Sequence, residues 1–339
     1  MAIKIFFGNY KGGVGKTTSV FQVGINMAQN HNKNVLLLDL DPQASLSKIC
    51  TKRDIPLDGV PIESTFNYLL EIYALQFRRL GKLDILSSSN IFNNETFTNL
   101  ASMTKNAVKT KTFLNGSLSF IPTRMDIANA RINDIADQVS RYSMGIVGVA
   151  KLIEDIENIP DIKLDYILID CPPSLNSIIQ AVFLKSDYYI IPTIADDISI
   201  SGVMDYIKVI EKTIQKYTYD SAVGGILLEK MFSKSPKLIG VFETMAVEIS
   251  KSASSSFLSD LNNQLQENNV EIFDKSYPFM KNDIVDGLSD KRCYIFESKI
   301  HMKNNRSDKN NLGIPYKTMN FEPHDEYNSL TDDLLKICE

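Results

Sequence analysis

The sequence predicts an α/β fold with a doubly wound, mainly parallel sheet and helices on both faces. Three observations support this prediction: apolar runs of strand length recur along the chain, stretches with helical spacing separate them, and a glycine-rich turn joins the first run to the first helix. The runs do not alternate between polar and apolar residues, which is typical of strands that helices cover on both faces. Strands that alternate with helices favour a parallel sheet.

The chain begins with a predicted strand, helix and strand. Residues 3–8 are an apolar run that ends before a glycine-rich turn at residues 12–15. Apolar or small residues then recur at i, i+3, i+4, i+7 and i+8, which predicts a helix from about Lys16 to Gln29. A second continuous apolar run at residues 35–40 predicts the next strand. The N-terminal region is therefore predicted to be a βαβ unit.

The same patterns predict the remaining elements. Further strands are predicted at residues 118–121, 166–169, 188–191 and 223–228. Helices are predicted at residues 66–80 and 198–214, and a last helix at residues 330–338 after Ser329. Residues 51–115 include a polar stretch at residues 87–115, and we expect them to be an elaboration on a single domain that spans residues 1–339.

Composition excludes several classes of protein. A net charge of -5 and a pI of about 5.4 exclude a uniformly basic nucleic-acid binder, although a local lysine patch could still bind phosphates. The four cysteines and three histidines are scattered, so neither a disulfide framework nor a Cys or His metal site is predicted. The sequence has no apolar run of about eighteen residues and no basic leader, and we expect a cytoplasmic protein.

The glycine-rich turn has the pattern of a phosphate-binding loop. Residues 11–18, Lys-Gly-Gly-Val-Gly-Lys-Thr-Thr, end in the Gly-Lys-Thr of a Walker A motif at a strand-to-helix junction. Glycines let the backbone bend around phosphate oxygens and present N–H groups, and the following helix adds the positive end of its dipole. A purely structural glycine turn is the alternative, but it gives no reason for Gly-Lys-Thr at this position. The predicted ATP-binding residues are Lys11, Gly12, Gly13, Val14, Gly15, Lys16, Thr17 and Thr18.

Individual side chains of this loop have distinct predicted roles. Lys16 supplies a positive charge to the β and γ phosphates. Thr17 matches the position whose hydroxyl coordinates magnesium, and Thr18 lies next along the helix, within reach of the α phosphate. The predicted ligand is therefore ATP with Mg²⁺, and the predicted activity is ATP hydrolysis.

Three aspartates lie at or next to the ends of predicted strands. Asp39 and Asp41 are two residues apart, so both side chains would point the same way if the strand continues to Asp41. They could then face the nucleotide, although carboxylates at a strand end also cap turns. Asp170 ends an apolar strand, as expected of a Walker B carboxylate that holds magnesium through water.

These motifs together resemble one family. Tyr10 stands where the standard GxxxxGK[ST] pattern has glycine, and the loop instead adds Lys11. The loop, the segment Val-Leu-Leu-Leu-Asp-Leu-Asp-Pro-Gln-Ala-Ser at residues 35–45 and Asp-Cys-Pro-Pro at residues 170–173 resemble the deviant Walker A ATPases, and within them the ParA/Soj-like partition proteins. The resemblance covers most of the chain except residues 51–115, and it implies a sheet of the P-loop NTPase type.

The resemblance also implies roles for the site residues. It implies that Lys11 reaches across a two-fold interface to the phosphates of a partner subunit in an ATP-sandwich homodimer. Asp41 would orient or activate the attacking water, so the implied catalytic residues are Lys11, Lys16 and Asp41. Thr17 and Asp170 would hold magnesium, and Asp39 belongs more loosely to the same metal shell.

ParA-like proteins bind DNA without sequence preference when ATP makes them dimerise, and a ParB-like centromere-binding protein stimulates hydrolysis and release. The resemblance therefore implies a nucleoid-associated protein that drives plasmid or chromosome partition. The family's basic DNA-contacting segments match only approximately, and the lysines in or near them are Lys230, Lys234, Lys237 and Lys281. An ordinary solvated face is the alternative for these lysines.

Four other functions compete with partition. A MinD-like membrane ATPase needs a basic amphipathic C-terminal helix, but residues 330–338 carry two aspartates and one lysine. An iron–sulfur carrier needs paired cysteines, and a tyrosine kinase of the polysaccharide-export type needs a tyrosine-rich tail; the sequence supplies neither. A cytosolic ATPase switch that positions a protein cargo rather than DNA remains open.

Overall fold

The computed structural model describes residues 1–51, 59–80, 95–127, 130–141, 143–219, 232, 236–246, 258–265, 295–301 and 325–338. The strands in this part of the chain are β1 (Ile3–Phe7), β2 (Asn34–Asp39), β3 (Lys109–Thr112), β4 (Ser117–Ile121), β5 (Tyr166–Asp170), β6 (Tyr188–Thr193), β7 (Lys237–Ala246) and β8 (Ile295–His301). The helices are α1 (Lys16–Asn30), α2 (Ser45–Thr51), α3 (Phe66–Leu80), α4 (Glu95–Ala107), α5 (Ile132–Ser140), α6 (Ser143–Glu157), α7 (Ser177–Lys185), α8 (Asp197–Tyr219), α9 (258–265) and α10 (Glu326–Cys338).

The strands form one sheet in the order β3-β4-β2-β5-β1-β6-β7-β8. Every neighbouring pair is parallel except β3 with β4, which is antiparallel. The central strand β1 lies between β5 and β6, and the helix that follows it leads to β2 on the far side of β5. Parallel strands with intervening helices require crossover connections, so helices must cover the sheet.

Neighbouring residues of each strand point to opposite faces of the sheet, and helices bury both faces. Phe6 and Leu38 belong to a core shared with α3 and α5 to α8. Phe7 and Leu37 belong to a second core shared with α1, α2 and α10. The continuous apolar runs in the sequence follow from this two-sided burial. The predicted doubly wound, mainly parallel α/β fold is confirmed.

The C-terminal helix differs from its predicted bounds. We expected it to start after Ser329, but α10 runs from Glu326 to Cys338 and therefore contains Ser329. Tyr327, Leu330 and Leu334 are buried at helical spacing against α1, so the apolar face extends one turn earlier than expected.

Within the part of the chain that the structure describes, no helix is both long and apolar enough to cross a membrane.

The sequence pattern predicted no helix or strand in the polar stretch at residues 87–115, but the structure has a helix and a strand there. The stretch contains all of α4 and all of β3, and β3 is an edge strand whose last three residues are exposed. Leu100, Thr104 and Ala107 of α4 are buried, so a narrow internal face is enough to hold this helix. The sequence also failed to predict β7 at Lys237–Ala246, whereas the strand predicted at residues 223–228 lies outside the described residues.

Candidate functional site

The carboxyl ends of the central strands bring the predicted motifs to one edge of the sheet. Phe7 at the end of β1 is in register with Asp170 at the end of β5, and Asp170 is in register with Asp39 at the end of β2. The glycine-rich loop leaves β1 at this same edge and enters α1. Open α/β sheets bind their ligands in the crevice at the carboxyl ends of the strands. This edge is therefore the candidate site.

The loop backbone adopts conformations that only glycine tolerates well. Gly13 and Gly15 have φ values of 75° and 74°, in the left-handed region. A Cβ atom added to Gly12 or Gly13 would meet no protein atom within 4 Å, so the loop is open on that side. Helix α1 then starts at Lys16, and the N–H groups of its first turn have no preceding helical carbonyl to bind. These features leave backbone donors available to an anion.

The back of the loop is braced by neighbouring strands. The hydroxyl of Thr244 on β7 lies 3.0 Å from the carbonyl oxygens of both Val14 and Thr193. The side chain of Asn9 donates to Pro192 O at 2.8 Å and accepts from Lys11 N at 2.9 Å. The loop is thereby tied to β6 and β7 through buried polar side chains, which reduces its freedom before any ligand binds.

A close approach fixes glycine at the position before the loop. Tyr206 of α8 is buried, and its hydroxyl oxygen lies 2.0 Å from where a Cβ on Gly8 would stand. The Tyr206 ring also packs edge-on against Tyr10, with ring centroids 4.9 Å apart. Any side chain at residue 8 would push α8 away from the start of the loop.

Lys16 lies inside the loop. Its ammonium group donates to the carbonyl oxygens of Asn9 at 3.0 Å and Lys11 at 2.9 Å, and the residue is 7% exposed. Burial lowers the pKa of Lys16, while the nearby groups of Cys171, Asp170 and Asp41 act in the opposite direction. A buried cation that is bound mainly by neutral carbonyls is poised to contact an added anion.

Asp170 is the least satisfied charged group of the site. Both carboxylate oxygens are buried, and neither has a hydrogen-bond partner of good geometry among the described residues. Burial and then the charge of Asp39 raise the pKa of Asp170 well above its usual value, although the nearby Thr17 hydroxyl acts to lower it. A buried carboxylate without partners is costly and needs an explanation, and a bound cation supplies one. Thr17 and Asp170 therefore fit the predicted magnesium site.

Asp39 and Asp41 have different surroundings although they are two residues apart. Strand β2 ends at Asp39, so the condition under which both side chains would point the same way is not met. Asp39 is buried and accepts three hydrogen bonds, from Asp41 N and from the backbone and hydroxyl of Ser47. Asp41 is partly exposed in the following turn, and its Oδ1 accepts from Gln43 N at 2.8 Å. Asp41 is thus available to a ligand, whereas Asp39 is bound by the protein.

Lys11 is held within its own chain in this structure. Its ammonium group forms an ion pair with Asp196 Oδ2 at 2.5 Å and donates to Ser199 Oγ at 2.9 Å, both just before or within the start of α8. Burial would raise the pKa of Asp196, but hydrogen bonds from Lys11 and Ser199 lower it below its ordinary value. The side chains of Lys11 and Asp196 are 30% and 39% exposed, so the pair lies at the surface beside the loop.

Of the four lysines predicted for DNA contact, the structure describes one. Lys237 is the first residue of β7, in register with Tyr188 at the start of β6, so it lies at the sheet edge opposite the phosphate loop. Lys230, Lys234 and Lys281 lie outside the described residues.

Sequence reasoning missed several residues of the site. Asn9 could have been suspected as the direct neighbour of the loop. Ser47, Asp196, Ser199 and Thr244 belong to other elements, and no local motif marks them. Their roles depend on contacts between segments that are far apart in sequence, such as Lys11 with Asp196.

The residues present fit ATP with magnesium. The open glycine loop and the buried Lys16 suit the phosphates. Asp170, which lies beside Thr17 and accepts no hydrogen bond of good geometry in the described part of the chain, suits the cation. No part of this fit depends on Asp39, whose oxygens already have protein donors.

Comparison with known proteins shows the family to which the chain belongs. A family model described as "AAA domain" matches residues 2–222. An uncharacterized protein of Mycobacterium tuberculosis is 26% identical over 238 residues, which is 70% of this chain and 60% of that protein, so the match spans less than two thirds of this relative. The sporulation initiation inhibitor protein Soj of Bacillus subtilis is 24% identical over 235 residues, 69% of this chain and 75% of Soj.

Among solved structures, pNOB8 ParA bound to nonspecific DNA has the same fold. The superposition has a TM-score of 0.55 at 19% identity and covers 100% of this chain and 99% of that chain. The family model covers the whole of the loop, β2 and β5, which are the elements that carry the candidate site. The chain belongs to the ParA/Soj-like family of P-loop ATPases with a deviant phosphate-binding loop.

Proposed function

We propose that this chain is an ATPase that binds ATP with Mg²⁺, forms a nucleotide-sandwich homodimer, binds DNA without sequence preference and drives plasmid or chromosome partition. Hydrolysis is slow until a ParB-like partner stimulates it. The nucleotide part rests on the buried Asp170, whose carboxylate lacks a hydrogen bond of good geometry within the described residues. Asp170 lies next to Thr17 and to an open glycine loop that contains Lys16.

Each residue has a separate task in this proposal. The loop N–H groups and Lys16 bind the β and γ phosphates and neutralise their charge. Magnesium, held by Thr17 and Asp170, would supply further charge neutralisation on the phosphate oxygens. Asp41 accepts a proton or a hydrogen bond from the attacking water, because it is the partly exposed carboxylate at the mouth of the site. Phosphoryl transfer depends mainly on such positioning and charge stabilisation.

Lys11 has to leave Asp196 to reach the nucleotide of a partner subunit. An ion pair this exposed contributes roughly 1 kcal/mol or less to stability. A triphosphate carries several negative charges, so it is a stronger partner for Lys11 than one solvated carboxylate. The pair with Asp196 therefore keeps Lys11 ordered in the single subunit without preventing its transfer to a dimer contact.

The proposed magnesium role of Asp170 predicts opposite effects on stability and activity. Asp170→Asn should raise the melting temperature of the nucleotide-free protein in EDTA at pH 7.5 by about 1–2 °C, which corresponds to about 1 kcal/mol in a chain of 339 residues. The reason is that the raised pKa of Asp170 reports a penalty on its ionised form in the folded state. The same change should abolish magnesium-dependent hydrolysis, measured as phosphate release.

The pH dependence of this stabilisation follows from the direction of the pKa shift. The penalty is absent below the unfolded pKa of about 4, where the carboxyl is protonated in both states, and it grows as pH rises towards the folded pKa. The increase in melting temperature from Asp170→Asn should therefore vanish at low pH. Asp187→Asn is the matched control, because Asp187 accepts from Lys4 and its replacement should not raise the melting temperature. A lower melting temperature for Asp170→Asn at pH 7.5 would contradict the assignment.

The DNA part of the proposal is supported by family membership and by the neighbouring ParA structure, which holds nonspecific DNA. Purified protein should bind an unrelated duplex with ATP but not with ADP or without nucleotide. The affinity should fall steeply between low and moderate salt, because lysine–phosphate contacts release counterions. Fluorescence anisotropy of a labelled duplex measures both effects.

The same experiment separates partition from the alternative function. Dimerisation on ATP without DNA binding at low salt would refute the DNA part and favour a switch that positions a protein cargo. DNA binding that is equal with ATP, ADP and no nucleotide would refute the switch itself. Nucleoid association is expected only if the ATP-dependent binding is observed.

A further inference from the structure

The carboxylate of Asp39 is enclosed by protein donors. Asp39 is 2% exposed, and its Oδ2 accepts from Ser47 N and Ser47 Oγ, each at 2.8 Å. Its Oδ1 accepts from Asp41 N at 3.1 Å. One side chain thus joins the end of β2 to the following turn and to helix α2.

The contacts of Ser47 extend this connection to a third element. Ser47 Oγ accepts from Thr123 N at 2.9 Å, and Thr123 Oγ1 donates to Asp39 O at 2.6 Å. Asp39, Ser47 and Thr123 are all buried, at 2%, 2% and 0% exposed. They form a closed ring of hydrogen bonds between β2, α2 and the segment that follows β4, which we name the Asp39 bracket.

The bracket distinguishes Asp39 from Asp170, its neighbour in register on β5. Asp170 has two buried oxygens without a partner of good geometry among the described residues, whereas each oxygen of Asp39 accepts at least one hydrogen bond. A carboxylate whose oxygens already accept protein hydrogen bonds gains less from a cation than an unpartnered one does. The two strand-end aspartates therefore have different chemistry although their sequence positions are equivalent.

We propose that Asp39 is a positioning residue that sets the orientation of Asp41 through the Asp39 bracket, and that it is not a magnesium ligand. This inference rests on the proposed ATPase function, in which Asp41 acts on the attacking water. It reassigns the role in the metal shell that the family resemblance implies for Asp39.

The geometry of the turn explains how the bracket acts. The carboxylate of Asp39 accepts a hydrogen bond from Asp41 N. Asp41 in turn accepts two hydrogen bonds, from Gln43 N to its Oδ1 and from Ala44 N to its carbonyl oxygen, the latter at 2.8 Å. The bracket holds both ends of this turn, at Asp39 and at Ser47. A shift of about 1 Å in a catalytic group can reduce a rate by roughly 100-fold, so a looser turn is expected to affect chemistry before it affects binding.

The test compares Asp39→Asn, Ser47→Ala and the double variant. We expect each single variant to lower kcat for ATP hydrolysis by roughly 10- to 100-fold with KM nearly unchanged. The fold reduction of kcat in the double variant should be smaller than the product of the two single reductions, because both changes break the same network. The magnesium concentration that gives half-maximal binding of a fluorescent ATP analogue should stay within about twofold of wild type in all three.

A readout in the nucleotide-free protein makes the test independent of activity. Hydrogen–deuterium exchange over residues 40–47 should be faster in both single variants, because the turn loses its anchors. Thr51→Val is the matched control. The buried hydroxyl of Thr51 lies on the same helix and donates to Ser47 O, but it does not contact Asp39. This variant should leave kcat and the exchange of residues 40–47 unchanged. If Asp39→Asn does not fold, Ser47→Ala still tests the bracket, since it keeps Asp39.

Two outcomes would overturn the proposal. A requirement for roughly tenfold more magnesium in Asp39→Asn but not in Ser47→Ala would make Asp39 a metal ligand. Unchanged kcat and unchanged exchange in Ser47→Ala would show that the bracket does not position the turn. If the wild-type chain binds the nucleotide but does not hydrolyse it, the proposed ATPase function fails, whereas the exchange and magnesium measurements still decide the role of Asp39.

Discussion

Replacing Lys16 with alanine is expected to reduce magnesium-dependent ATP hydrolysis by at least about 100-fold, the loss typical of removing one preorganised charge-stabilising donor. Lys16 is the buried cation of the loop, 3.0 Å from Asn9 O and 2.9 Å from Lys11 O. No neighbouring cation in the described part of the loop can take its place, because Lys11 is directed to Asp196. Phosphate release and binding of a fluorescent ATP analogue measure the effect.

Lys105→Ala is the matched control for this variant. Lys105 forms an ion pair with Asp161 at 2.5 Å and lies on α4, outside the phosphate loop. Its replacement should leave turnover unchanged. Undiminished turnover in Lys16→Ala would refute the assignment of the loop as the phosphate site.

The second large effect is expected for Lys11→Ala. This variant should still bind ATP, but the dissociation constant of its ATP-dependent dimer should rise by at least about 30-fold, as expected when one partner of a buried interfacial charge contact is lost. The contact arises only if Lys11 exchanges Asp196 for the phosphates of a partner subunit. Light scattering of the protein with a non-hydrolysable ATP analogue gives the mass as a function of concentration.

Asp196→Ala separates the two contacts of Lys11. It removes the ion pair within one chain but keeps the lysine, so it should dimerise at least as well as wild type. Equal loss of dimerisation in Lys11→Ala and Asp196→Ala would assign the effect to the pair within the chain. Normal dimerisation of Lys11→Ala would contradict a role across the interface.

The sequence predicted the parts of the site that depend on local pattern. The glycine turn, the helix after it and the strand ending at Asp170 all follow from contiguous residues, and the structure places them as expected. Two-sided burial of the sheet explains why the apolar runs were easy to recognise. The same reasoning failed for β3, because an edge strand exposed over three of its four residues has little apolar pattern.

The sequence could not predict which aspartate would be bound by the protein. Asp39 and Asp170 both end apolar strands, but among the residues that the structure describes a serine hydroxyl donates to Asp39 and none donates to Asp170. That serine is eight residues away and is held by Thr123, a further 76 residues along the chain. The pair of Lys11 with Asp196 likewise joins residues 185 positions apart. Such contacts depend on how the elements pack, and no local motif encodes them.

The most direct test of the account is a structure of the wild-type chain with Mg²⁺ and a non-hydrolysable ATP analogue. We expect a dimer in which the loop and Lys16 bind the phosphates, Thr17 and Asp170 hold magnesium, and Lys11 contacts the nucleotide of the partner subunit instead of Asp196. A nucleotide bound away from the loop, or a nucleotide-bound monomer in which Lys11 stays on Asp196, would contradict it.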